Sequence, residues 1–119
     1  MITVKRWITT AGMMAAFAVA MPAADVDGYL IDSMCSMEAL KEGQKAAAMH
    51  TRECALMPDC VKSGYGVFTA DGRFLKFDAA GNQKAEKALT ASKQKDNIKV
   101  KVSGAVDGDT IQVASLKLR

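Results

Sequence analysis

The sequence predicts a mainly β domain of the α+β kind: a small five-stranded barrel that carries a helical insert. Three observations predict it. Residues 98–118 alternate apolar and polar positions around an Asp107-Gly108 turn. Asp71-Gly72 separates two β-prone runs. Residues 33–58 are rich in Ala, Met, Lys and Glu, which suit helix.

Val26-Asp27-Gly28-Tyr29-Leu30-Ile31 reads as the first strand. The helical stretch begins at Ser33; Gly43 breaks it, Pro58 ends it, and Ser36 or Thr51 caps its turns. Met37, Leu40 and Met57 recur at helical spacing and are expected to pack in the core. Tyr65 to Ala70 and Arg73 to Asp78 then form a hairpin, with φ > 0 expected at both Asp71 and Gly72. Gly81-Asn82 opens a helix running through Ser92, with Ala85, Ala88 and Leu89 on one face. Ile98, Val100 and Val102 alternate with Lys99, Lys101 and Ser103, the pattern of a half-buried strand with its lysines in water. Past the second turn, Ile111 and Val113 keep the alternation, and Ala114, Leu116 and Leu118 carry it one residue out of phase. A slip of one residue reverses the faces of a strand, so a β-bulge is expected between Val113 and Ser115. Five strands with the insert after strand 1 and a helix between strands 3 and 4 suit an OB-like barrel. An open α+β sheet is the alternative.

The N-terminal segment has a different character. Lys5 and Arg6 precede Trp7 to Val19, which is apolar apart from Thr9, Thr10 and Gly12. A charged start followed by a short apolar stretch is the pattern of a secretory signal peptide, expected over residues 1–24. The stretch is shorter than the ~20 apolar residues of a membrane span, so no stable span is expected after cleavage. The cut falls after Ala20 or after Ala24, and a single domain follows over residues 25–119, placed in the periplasm or secreted. Losing Lys5 and Arg6 lowers the net charge from +3 to +1. A nearly neutral domain lacks the electrostatic footprint of a nucleic-acid binder.

The chemistry concentrates in one segment. Cys35, Cys54 and Cys60, with His50 as the chain's single histidine, fall between residues 35 and 60 together with Met34, Met37, Met49 and Met57. Thiolate and imidazole are ligands for zinc or copper. Cys35, His50, Cys54 and Cys60 are therefore the candidate metal ligands, with His50 and Cys54 on one face if residues 50–57 form one helix. An oxidising compartment favours disulfides instead. Cys54–Cys60 would close a short loop, and Cys35 to either partner a longer, more stabilising one. No C-x-x-C motif, glycine-rich phosphate loop or nucleophile elbow occurs, and Asp25, Asp27 and Asp32 lack the spacing of a calcium loop.

Three motifs together resemble a known type. Gly28-Tyr29-Leu30-Ile31-Asp32-Ser33 with Cys35, His50 with Cys54 and Cys60-Val61-Lys62-Ser63-Gly64, and Val102-Ser103-Gly104 with Asp107-Gly108-Asp109-Thr110-Ile111 are similar to a family of small exported bacterial domains of unknown function. These pair a Cys/His segment with an OB-like barrel half. The likeness spans most of the chain after the signal segment, although the spacing from Cys54 to Cys60 is longer than the family's. It implies a fold and an exported life, and no activity. The expected function is thus an exported, non-enzymatic domain whose segment 35–60 binds a soft metal or is joined by a disulfide. A disulfide-stabilised module for a cell-envelope partner or ligand is one alternative, and a thiol redox protein using Cys54 or Cys60 is a second.

Overall fold

The structure is a computed structural model and describes residues 23–119. The expected signal segment lies outside these residues except for Ala23 and Ala24, which begin the first strand. The elements run β1 (Ala23–Asp32), α1 (Ser33–Glu42), α2 (Gln44–Met49), α3 (Arg52–Ala55), α4 (Pro58–Ser63), β2 (Tyr65–Thr69), β3 (Phe74–Phe77), α5 (Ala79–Ala91), β4 (Lys99–Asp107) and β5 (Thr110–Leu118).

The five strands form one mixed sheet that closes on itself in the order β1-β2-β3-β5-β4. Every pairing is antiparallel except β3 with β5, which is parallel over Lys76↔Thr110 and Phe77↔Ile111. The insert lies between β1 and β2, and α5 joins β3 to β4. Helices hold about as much of the chain as strands do, because the insert forms four of them. The fold is therefore α+β and not mainly β. No helix among the described residues is long and apolar enough to cross a membrane.

Strand alternation creates two cores. Leu30, Tyr65, Val67, Val100, Val102 and Ile111 fill the interior of the ring, where Ala85 and Leu89 of α5 join them. Ile31 and Phe68 point to the other face and meet Ala39 of α1 and Ala47 of α2. β2 is consequently buried on both sides. The insert buries small residues, Ser36 and Ala39 on α1 and Ala47 on α2. Met37, Leu40 and Met57 are exposed, contrary to the expected packing. Helices that rest on a sheet through Ser and Ala turn their long side chains outward.

Several local signals act as expected. Gly43 stands between α1 and α2 with φ 87°, a left-handed conformation that favours glycine. Thr51 caps α3, its hydroxyl accepting the Cys54 N–H at 3.1 Å. The bulge falls where the alternation slips: Ser103 pairs with Ser115 and Gly104 with Val113, leaving Ala114 as the extra residue. Others differ. Pro58 opens α4 as its first residue, where its missing N–H costs nothing, and does not end a long helix. Ser36 lies inside α1, and its hydroxyl donates to the Ser33 carbonyl at 2.6 Å; Asp32 is the cap. Of Asp71 and Gly72 only Gly72 has positive φ. The hairpin is closed by Thr69 N–H to Arg73 O at 2.8 Å and Gly72 N–H to Thr69 O at 3.0 Å, a longer loop than the two-residue turn expected. Residues 50–57 do not form one helix, because His50 is extended at the end of α2 with φ −63° and ψ 128°.

One side chain secures the bulge and the helix beside it. Asp78 Oδ1 accepts the Gly81 N–H at 3.0 Å, capping α5, and the Val113 N–H at 3.1 Å, next to the extra residue. Replacing Asp78 with Ala removes both bonds, and the expected loss is about 2 kcal/mol. Urea denaturation of D78A against the parent checks this; an unchanged midpoint would contradict the role given to Asp78.

Candidate metal centre

The site starts from a junction without a loop. Asp32 is the last residue of β1, paired with Tyr65 of β2, and also the N-cap of α1. Its Oδ2 accepts the Cys35 N–H at 3.0 Å. This cap fixes the first turn of α1 and so the direction of the Cys35 side chain. The residue is fully buried.

Asp32 Oδ1 faces His50, whose Nε2 lies 2.6 Å away; the two side chains are 0% and 9% exposed. His50 is held by its neighbours in the chain. Ala48 O accepts the Asn97 N–H at 2.7 Å, and Arg52 N–H donates to Lys95 O at 2.7 Å. The loop between α5 and β4 therefore clasps the backbone on both sides of His50. Oδ1 and Nε2 are each other's close polar contact, and neither has a further hydrogen-bonding partner. Ser33 Oγ, on the residue after Asp32, is a third buried atom without a hydrogen-bonding partner. Beyond each other, the Asp32 and His50 atoms meet no polar group that satisfies them, which is uncommon for buried polar groups.

Cys35 completes a compact set: one ligand atom each from Asp32, Cys35 and His50, all within 4.8 Å of one another. Burial and the neighbouring Asp32 charge push the Cys35 thiol up to about 12. Burial followed by the Asp32 charge also pushes the Cys60 thiol up. For Asp32, burial works to raise the carboxyl pKa. The contacts from His50, the Cys35 N–H and the Cys60 thiol outweigh it and hold the carboxyl below its usual value. A carboxylate at this position keeps its charge and suppresses ionisation of the thiols around it.

The structure brings together two of the four ligands expected from sequence, Cys35 and His50, and joins Asp32 to them. Cys60 is buried on α4 near Asp32, with its Sγ 4.0 Å from Met34 Sδ, outside the compact set. Cys54 is exposed on α3. All three thiols are free. A pocket of about 290 Å3 lies over the site, and Cys35, His50 and Cys54 are among its lining residues. The sequence places Asp32 in a strand motif and beside Asp25 and Asp27 without calcium-loop spacing, and neither context marks it as a partner of Cys35 and His50. The signal present was its place three residues before a cysteine at a strand-to-helix junction.

Asp32→Ala removes the cap of α1 and leaves His50 facing an empty position, so the metal-free protein is expected to lose about 2 kcal/mol or more. Asp32→Asn retains a capping oxygen and loses less. Chemical denaturation of both variants in the presence of a chelator tests that order, and equal losses would show that the cap is not what Asp32 supplies. Comparisons with known protein families, curated proteins and solved structures find no match to this chain, so the reading of the site rests on its own residues.

Proposed function

We propose that this chain is an exported, non-enzymatic metal-binding domain built on an OB-like barrel, with Asp32, Cys35 and His50 holding a zinc ion. The observation that carries the reading is the convergence of Asp32 Oδ1, His50 Nε2 and the Cys35 sulfur within 4.8 Å, the first two atoms buried with no hydrogen-bonding partner beyond their mutual contact. Carboxylate, imidazole and thiolate together suit zinc. Copper(I) prefers sulfur and gains little from Asp32. Donors around a tetrahedral zinc stand about 3.3 Å apart, so the 2.6 Å pair needs to open only slightly. Cys60 serves as a neighbour that steadies the Asp32 carboxylate, a role that partners of metal ligands commonly fill. The barrel reading is supported by the ring order β1-β2-β3-β5-β4 with a helix between β3 and β4. Thiol redox chemistry at Cys60 has less support, because burial and the Asp32 charge raise its pKa and a thiol reacts as its thiolate.

Calorimetric titration and elemental analysis are expected to find one zinc per folded chain. C35S, H50A and D32N each weaken binding by about a hundredfold or more. Zinc at 100 times its dissociation constant raises stability by about 2.7 kcal/mol, and a chelator reverses the gain. A fully folded protein that takes up no zinc, or a D32N variant that binds as the parent does, rejects the proposal.

Export carries its own test. β1 pairs with β4 from Ala23↔Ala105 and Ala24↔Gly104 onward, so a cut after Ala24 would strip two residues from the ladder. Cleavage after Ala20 keeps the strand whole. Mass spectrometry of the exported protein is expected to show Met21 as the first residue; a chain starting at Asp25 or retaining Met1 contradicts this.

A further inference from the structure

A buried set of ligands must be reached from solvent. Asp32 and His50 are almost wholly enclosed. The pocket above them touches Cys35 and His50 but not Asp32, so it ends on the ligand set. Along one wall, α1 presents Cys35, Glu38 and Glu42, spaced three and four residues apart and therefore on a single helical face. Two carboxylates thus lead from the rim along the helix toward Cys35. Acidic walls raise the local concentration of a cation and speed its arrival.

The facing side of the pocket is made by the end of α2 and by α3, with Met49, Thr51 and Cys54. Cys54 is exposed, so its sulfur adds nothing to either core. Its backbone is nevertheless fixed. Thr51 caps its turn, and Arg52 holds α3 against the C-terminal end of α5 by donating to Leu89 O at 2.6 Å and Thr90 O at 3.0 Å. The fold therefore holds an accessible sulfur at the mouth of a pocket whose floor is the ligand set.

Resting on the zinc reading, we infer that this pocket is the entry path of the ion. Glu38 and Glu42 concentrate the cation, and Cys54 is a transient capture ligand that passes it to Asp32, Cys35 and His50. Capture exchanges a water ligand of the ion for the Cys54 sulfur. The Cys54 thiol gives up its proton to solvent on capture; delivery exchanges the Cys54 sulfur for the buried donors, the Cys35 thiol giving up its proton as it binds the ion and Cys54 taking one up as it is released. A ligand that only assists exchange speeds loading and unloading equally and leaves the equilibrium alone.

Stopped-flow zinc uptake, and release to a chromophoric chelator, test this on the folded chain. C54S is expected to slow uptake and release alike by about tenfold and to keep the dissociation constant within a factor of about three. Replacing Glu38 and Glu42 with Gln slows uptake and flattens its salt dependence. A C54S variant that loses affinity as C35S does would make Cys54 a resident ligand and overturn the inference, as would unchanged rates in C54S. Failure of the parent chain to bind zinc appears at equilibrium, before any rate is measured, and removes the zinc reading itself.

Discussion

A single buried carboxylate joins the two halves of this molecule. Asp32 ends β1, which pairs with β2 and β4 in the ring, and it caps the helix that starts the insert. One oxygen orders the backbone of α1, and the other meets a histidine that returns from the end of α2. Placing a charge at zero exposure is costly unless its partners are fixed. The rest of the insert can be understood as the means of fixing them. Four short helices bring His50, Cys35 and Cys60 around one carboxylate, a task that a single long helix could not perform.

Hydrogen bonds also tie the insert to the rest of the fold. Tyr65 donates its hydroxyl to Ala55 O at 2.6 Å, from β2 to α3. Gln44 at the start of α2 donates to Thr69 O at 2.7 Å and to Ala70 O at 3.2 Å on the first hairpin. Arg52 reaches the end of α5, and the loop after α5 clasps both sides of His50. Each bond adds only a modest net stabilisation, yet together they fix how the insert sits on the ring. The small inner face of α1 allows this close seating and leaves the methionines in solvent.

What the sequence reveals depends on the range of the interaction. The slip at Ala114 is legible because alternation is a local, period-two property, and the structure places the extra residue there. The α5 helix is legible for the same reason: Ala85 and Leu89 recur at helical spacing and are buried. Pro58 is ambiguous by nature, since proline both follows helices and begins them, and the residues beside it do not choose. Cys35 and His50 stand out because reactive side chains are scarce here. Asp32 does not, because its partner is separated from it by two helices and becomes a neighbour only once the loop after α5 has folded back.

The parallel seam of the ring has a consequence of its own. β3 and β5 meet over two residue pairs, whereas β1 is paired along most of its length with β2 and β4. In the ring order the short seam lies across from β1. Local unfolding begins where the fewest hydrogen bonds must break, so amide exchange by partial opening is expected first at the seam of β3 and β5. The ring can breathe at that seam while the pairing of β1 with β2, which positions Asp32, stays closed.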